Sequence, residues 1–266
     1  MKRISDLITV VAFSVAALLV FHFVPEIFPN DDLNSILQYS LMGGSFIYFI
    51  WAYQLPTMQY FRLPAISFSS LCGLGVVVFY AYSRIDSSDG YTLPLWPTIT
   101  GVVYLYAIGL GEEVVSRGFI FGVLKKYGTA VALIFSSIAF GLMHLNVYLG
   151  DDWNPVNAYW HCLSAAGFGF LAAAVMLAMK SILPAIIMHA LFDWPVVFSP
   201  PSKDESSDYV PHFDPLWQTI KDSFAEIMID VFIGLVLILI ARGIRFKRIP
   251  RLVMRGLLKF RLVEEG

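Results

Sequence analysis

Long apolar stretches, separated by short polar segments, dominate the pattern of hydrophobic and polar positions along the chain. A helix needs about 20 mostly apolar residues to cross the hydrocarbon core of a bilayer. The stretches that approach this length predict about eight transmembrane helices, over residues 7–24, 36–55, 63–83, 95–122, 128–149, 158–179, 181–199 and 217–241. The pattern therefore predicts an all-α, polytopic membrane helical bundle that forms a single integral membrane domain over residues 1–266.

Composition strengthens this prediction. Of the 266 residues, 58% are hydrophobic and only 14% are charged, whereas about a quarter of the residues in a soluble domain are charged. So many apolar side chains cannot all be buried in a core of this size, and the bilayer must solvate much of the surface. We therefore exclude a soluble globular enzyme, a disordered protein and a protein that binds nucleic acid. Cys72 and Cys162 lie in apolar stretches, and we expect no disulfide partner for either.

The basic residues follow the positive-inside rule when the N-terminus is placed in the cytoplasm. Of the 18 basic residues, 15 then lie on the cytoplasmic side, and the exceptions are Arg84, Lys203 and Lys221. This alternation predicts that both termini are cytoplasmic.

The last segment, residues 242–266, is predicted to be a basic, amphipathic cytoplasmic tail. Arg251, Arg255 and Lys259 recur every four positions between apolar residues, as in a helix that lies on an anionic membrane surface. The alternative interpretation is a charge cluster that only sets the topology.

Ionisable side chains within a membrane are costly, so each one needs a reason. Three of the predicted helices contain such residues: Glu112, Glu113 and Arg117 in the fourth, His144 in the fifth, and His189 and Asp193 in the seventh. At a rise of about 1.5 Å per residue, Glu112, His144 and His189 each lie within roughly 8 Å of the bilayer midplane. We therefore expect one shared polar site, although isolated hydrogen bonds between helices remain the alternative. His22, His161 and Asp230 are expected near helix ends, with structural roles.

Spacing assigns roles within the fourth helix. Glu113 and Arg117 are four residues apart, which suits an intrahelical ion pair. Glu112 is rotated by about 100° from Glu113 and is left free to meet water and another helix. Several glycines around this segment permit neighbouring backbones to approach closely: Gly109, Gly111, Gly118 and Gly122.

The other helices supply complementary groups. Glu112 and His144 together could hold a water molecule and remove its proton as it attacks a carbonyl carbon. His189 could donate a hydrogen bond to the developing oxyanion, with Asp193 one turn later fixing the tautomer of its ring. Phe140, one turn before His144, could shield the site from lipid. No serine or cysteine lies convincingly beside a base, which disfavours a covalent mechanism.

The cofactor is left open by the sequence. There is no HExxH pattern of the kind that binds zinc in many metalloproteases. However, four residues could provide nitrogen and oxygen ligands for zinc or another divalent metal: Glu112, His144, His189 and Asp193. The alternatives are therefore no cofactor or a metal at these four residues.

Three motifs resemble those of the CPBP family (CAAX protease and bacteriocin-processing, also called Abi), which is related to the CAAX-prenyl endopeptidase Rce1. They are Glu112-Glu113-x-x-x-Arg117, Phe140-x-x-x-His144 and His189-x-x-x-Asp193, within residues 95–195. The resemblance implies an intramembrane endopeptidase in which Glu112 and His144 act on water, while His189 and Asp193 stabilise the oxyanion. Both metal-dependent and glutamate-dependent mechanisms have been argued for the family.

The resemblance also implies a substrate class and a location. The expected partners are membrane lipid and a hydrophobic or lipid-modified peptide or protein, and the expected location is the bacterial plasma membrane. The alternatives are a non-enzymatic membrane scaffold or bacteriocin self-immunity protein, and a proton-coupled transporter. Transporters often contain repeats or paired interrupted helices, and neither is visible in the sequence.

Overall fold

The computed structural model describes residues 12, 27–28, 30–86, 92–145, 155–199 and 216–243. These residues form helices and turns with no β-strand among them, which confirms the predicted all-α class. Seven helices of ten or more residues occur in these ranges: α1 Asp31–Ala52, α2 Phe68–Asp86, α3 Leu95–Glu113, α4 Thr129–Met143, α5 Pro155–Met179, α6 Leu183–Phe192 and α7 Leu216–Ala241. Apart from residue 12, the first predicted span, residues 7–24, lies outside the described residues, and so do residues 244–266 of the predicted tail.

Several helices are apolar enough for a membrane. Four segments have both the length and the composition needed to cross a bilayer: Phe68–Asp86, Leu95–Tyr127, Ala158–Met179 and Ser223–Ala241. The helices α4 and α6 are apolar but shorter, with 15 and 10 residues. These helices support an integral, multi-pass membrane protein. The total of eight spans and the cytoplasmic position of both termini remain predictions.

Two helices begin at different residues from those predicted, and local caps explain both differences. α1 begins before residue 36 because the side chain of Asn30 accepts a hydrogen bond from the backbone N–H of Leu33, at 2.9 Å. α2 begins at Phe68 instead of the predicted residue 63. The hydroxyl of Ser67, directly before this helix, accepts a hydrogen bond from the N–H of Ser70 at 3.1 Å. Capping thus sets these boundaries more sharply than hydropathy does.

Two predicted spans are shorter than expected. α4 ends at Met143, so His144 follows the helix instead of lying within a span over 128–149. The predicted span over 181–199 is wrong as one helix, because α6 ends at Phe192 and a separate four-residue helix covers Trp194–Val197. Proline lacks the N–H that a continuing helix needs and is tolerated in a first turn, and Pro195 lies in the first turn of that second helix.

The helix α5 is the centre of the bundle. It packs against α2, α4, α6 and α7, whereas α3 packs between α1 and α6. Large apolar side chains on the outer faces of α2 and α7 are exposed, including Phe79 and Phe232. Such faces suit contact with lipid, where apolar surface carries no cost of hydration.

A π-helical segment, Val114–Ile120, follows α3 directly. All seven of its residues are buried, and a single helical turn, Phe121–Leu124, continues it. π-helical turns are rare and frequently occur at functional sites. This segment begins immediately after Glu113 and contains Arg117, and it therefore marks the region where the ionisable residues of α3 meet the other helices.

Candidate active site

Close contact between helix backbones brings the ionisable residues together. A Cβ atom at Gly109 of α3 would lie 2.8 Å from the carbonyl oxygen of Ile186 on α6 and 3.4 Å from Cβ of His189. Only glycine permits this separation. The predicted role of the glycines on α3 is thus confirmed at Gly109, which places the end of α3 against the histidine of α6.

Glu112 lies between the two predicted catalytic histidines. Its Oε2 atom is 3.8 Å from Nε2 of His144 and 3.8 Å from Nε2 of His189. This oxygen is buried and has no hydrogen-bond partner among the described residues. The structure therefore brings groups from three helical segments to one point, as the sequence predicts, and leaves one carboxylate oxygen directed at both imidazoles.

The ring of His144 is oriented by its own helix. Its Nδ1 lies 3.0 Å from the backbone carbonyl oxygen of Phe140. Because a carbonyl can only accept, Nδ1 must donate, and a neutral ring then has its lone pair on Nε2. The ring of Phe140 packs edge-on against that of His144, with centroids 4.8 Å apart. Phe140 thus holds the ring through both its backbone and its side chain.

His189 lies between two carboxylates. Its Nδ1 is 2.9 Å from Oε1 of Glu113, and its Nε2 is 3.3 Å from Oδ2 of Asp193. The predicted contact with Asp193 is therefore present. The contact with Glu113 was not predicted, because spacing along α3 assigned that residue only to Arg117. Both nitrogens of His189 can donate to a carboxylate when the ring carries two protons.

Glu113 and Arg117 form the predicted ion pair in a fully buried position. Nε of Arg117 lies 3.1 Å from Oε2 of Glu113, and neither side chain is exposed. The guanidinium carbon is 4.2 Å from the centroid of the Phe140 ring, a cation–π arrangement. Room for Arg117 depends on Gly169, where a Cβ atom would lie 3.0 Å from Nη2.

Exposure divides the site into two layers. The side chains of Glu112, His144 and Asp193 are 15%, 19% and 24% exposed. By contrast, Glu113 and Arg117 are inaccessible, and the His189 side chain is only 4% exposed. We call Glu112, His144 and Asp193 the accessible layer, and Glu113, Arg117 and His189 the buried layer.

Of the residues expected near helix ends, His161 lies within the first two turns of α5, as predicted, whereas Asp230 does not lie near an end. The ring of His161 packs against that of His144, with centroids 5.2 Å apart. Asp230 lies in the middle of α7, is fully buried, and accepts a hydrogen bond from the hydroxyl of Tyr80. Snorkelling to the interface is therefore the wrong explanation for Asp230. A residue of α2 donates to its Oδ1 within the bundle, and its Oδ2 has no hydrogen-bond partner among the described residues. His22 lies outside the described residues.

The fit to a metal can be examined from the same geometry. Within the described ranges, no group of three or more His, Cys, Asp or Glu side chains is arranged to hold a metal ion. The two nitrogens of His189 face Glu113 and Asp193. Zinc binding by the four predicted ligands remains a prediction, which the metal content of the purified protein would test.

These features define a helical membrane protein whose ionisable site is enclosed by apolar helices. Residues 94–195 match the family model described as type II CAAX prenyl endopeptidase Rce1-like. The match confirms the predicted CPBP/Rce1 relationship for the segment that carries all three motifs, and it supports a CAAX-type intramembrane protease. No curated protein matched the chain.

Proposed function

We propose that the chain is an intramembrane endopeptidase that hydrolyses a peptide bond of a hydrophobic or lipid-anchored substrate. The observation that carries this proposal is the buried Oε2 of Glu112, which has no hydrogen-bond partner among the described residues and lies 3.8 Å from two imidazole nitrogens. Glu113 and Asp230 also have a buried oxygen without a hydrogen-bond partner in the part of the chain that the structure describes. Glu112 differs because one of its oxygens lies at the same distance from two imidazole rings, an arrangement that suits a reacting group.

A water molecule can bridge Glu112 and His144. Their atoms Oε2 and Nε2, 3.8 Å apart, are too distant for a direct hydrogen bond, whereas each can lie about 2.8 Å from one shared water. Both atoms are acceptors when His144 is neutral, so the water donates one hydrogen to each. Its lone pairs then point away from the two side chains, towards a substrate carbonyl.

The hydrolytic step follows from this orientation. Glu112 takes a proton as the water oxygen bonds to the carbonyl carbon, and the carbonyl oxygen becomes an oxyanion. When the tetrahedral intermediate collapses, the carbon–nitrogen bond breaks and Glu112 returns the proton to the leaving amine. Water is consumed, and no covalent enzyme intermediate forms.

His189 and Asp193 are proposed to stabilise the oxyanion. The Nε2–H of His189 faces the same region as Glu112 and can donate to a negatively charged oxygen. An ionised Asp193 would repel that oxygen. Asp193 therefore either is protonated during the step or acts only by orienting His189 through their 3.3 Å contact.

The substrate class follows from the family and the surroundings of the site. The Rce1-like match supports a prenylated peptide as one candidate, and the apolar bundle favours a substrate that enters from lipid. We propose the bacterial plasma membrane as the location. A substrate of this kind would place its scissile bond beside the accessible layer of Glu112, His144 and Asp193.

Cleavage of membrane-anchored peptides tests the proposal. The purified protein in lipid nanodiscs is given fluorogenic peptides that carry a prenyl group, an acyl chain or a hydrophobic helix. We expect cleavage of at least one class, and loss of cleavage in Glu112→Ala and His144→Ala with thermal unfolding preserved. Asp86→Asn, at an exposed position at the end of α2, is the matched control. Failure of every peptide, or unfolding of both site variants with an active control, would contradict the proposal.

A further inference from the structure

A cavity of about 600 Å³ lies where the end of α1 meets the helical segment that follows α3. Tyr53 and Gln54, in the turn after α1, line one side, and Val123, Lys125 and Lys126 line the other. The volume falls within the range of about 300–1,000 Å³ that is typical of sites for small ligands. None of these residues belongs to the candidate active site, so the cavity is a separate feature of the molecule.

Direct contacts join the two sides of the cavity. The hydroxyl of Thr57, shortly after the turn that ends α1, donates a hydrogen bond to the backbone carbonyl oxygen of Gly118 at 2.5 Å, and this bond is buried. A Cβ atom at Gly122 would lie 3.3 Å from Cβ of Leu55, which shows how closely the two segments approach. The relative position of the two sides is therefore fixed by packing within the bundle.

Basic residues lie at this end of the bundle. Nε of Arg62 donates a hydrogen bond to the carbonyl oxygen of Lys180 at 3.3 Å. The short helix Pro56–Tyr60, next to the cavity, ends two residues before Arg62. Three described segments that meet here contain no Asp or Glu: 51–65, 114–130 and 176–186. The positive charge beside the cavity is therefore not balanced by an acidic side chain of these segments.

Exposed aromatic residues indicate the depth of this end in the membrane. Trp51 and Tyr53, at the end of α1, are 61% and 64% exposed. Tryptophan and tyrosine are enriched at the level of the lipid headgroups, and basic residues are enriched on the cytoplasmic side. The cavity thus lies at the level where the phosphate groups of one leaflet are expected.

We propose that this cavity binds the headgroup of an anionic phospholipid. The ammonium group of Lys125 donates to the hydroxyl of Thr129 at 2.7 Å and, with three N–H bonds, can also donate to a phosphate. Lys126 adds a second positive charge, and basic pockets between membrane helices bind such headgroups. Leu55 and Phe119, which also line the cavity, offer apolar surface to the glycerol and the first part of the acyl chains. Binding at this site does not depend on peptide cleavage.

A lipid titration followed by native mass spectrometry tests the proposal. The purified protein in detergent micelles is given phosphatidylglycerol or phosphatidylcholine, whose headgroup has no net charge. We expect saturable binding of phosphatidylglycerol alone. The double variant Lys125→Gln/Lys126→Gln should raise its Kd about 30-fold, which is about fivefold for each lysine. Val123→Phe adds an aromatic ring within the cavity without a change in charge, and it should weaken binding as well.

Two further variants separate a site in the cavity from general attraction by charge. Arg62→Gln/Lys180→Gln removes two exposed charges at the same end and should leave the Kd within a few-fold of the wild type, and Lys125→Arg/Lys126→Arg should retain binding. Thermal unfolding verifies that each variant is folded, and the two glutamine pairs decide if Val123→Phe is not. Equal losses in the two glutamine pairs would overturn the proposal, as would full binding by folded Val123→Phe. Equal binding of phosphatidylcholine, or displacement of the lipid by inorganic phosphate at the same concentration, would also overturn it.

Discussion

Nδ1 of His189 lies 2.9 Å from Oε1 of Glu113, and this contact is buried. The same carboxylate pairs with Arg117 through its other oxygen. Adjacent glutamates therefore have separate tasks. Glu113 joins the ring of His189 to a buried cation, while Glu112 remains directed towards the accessible layer. Substitutions of Glu112 and of Glu113 therefore test different parts of the site.

Glu113→Gln tests the connection to His189. The amide can still accept from Nδ1 but removes the negative charge that stabilises both His189 and Arg117. We expect a lower temperature of thermal unfolding together with a loss of cleavage of about tenfold or more, because a hydrogen bond to a charged group contributes about 1.5–3 kcal/mol. If cleavage and thermal unfolding equalled those of the wild type, the contact between Glu113 and His189 would have no role in function.

Arg117→Met tests the buried ion pair. The variant leaves Glu113 without its cation in a position that water does not reach, which costs about 3–5 kcal/mol for a buried pair. The measurement is the free energy of unfolding in detergent micelles. Arg62→Met, at an exposed position, should change it by less than about 1 kcal/mol. A similar small change for Arg117→Met would contradict the assigned role of the pair.

Gly109→Ala tests whether the contact of α3 with α6 builds the site. The added methyl group would lie 2.8 Å from the carbonyl oxygen of Ile186, which is backbone and cannot rotate away. We expect α6 to move and cleavage to be lost. Gly75→Ala is the matched control, because a Cβ atom there meets nothing within 4 Å. An active Gly109→Ala variant would mean that the site tolerates separation of these helices.

Asp193→Asn distinguishes the two roles left open for Asp193. Retention of full kcat would show that no charge is needed and that orientation of His189 suffices. A near-complete loss of kcat with normal thermal unfolding would instead support an essential carboxyl group. The comparison uses the best substrate from the peptide panel, and Asp86→Asn serves as an exposed control.

Much of the site could be predicted from the sequence because membrane burial restricts where ionisable residues occur. The free-energy cost of an ionisable group in a membrane predicted that Glu112, His144 and His189 share one position. Helical spacing predicted the pair of Glu113 and Arg117. The contact of Glu113 with His189 did not, since spacing within one helix carries no information about another helix.

The fold was predicted less completely. Hydropathy identified the helices but placed the ends of α4 and α6 too far along the chain. Those ends depend on single residues such as Pro195, whose effect is lost when hydropathy is averaged over a long apolar stretch. Asp230 was misassigned for a related reason, because its partner Tyr80 lies 150 residues away on α2.

Single-turnover cleavage by Glu112→Gln tests whether Glu112 activates water. The amide keeps the size of the side chain but cannot take a proton. We expect the rate constant to fall by about 10²–10⁴-fold, with unchanged substrate binding and thermal unfolding. A rate constant within a few-fold of the wild type, in a variant verified by mass spectrometry, would contradict it.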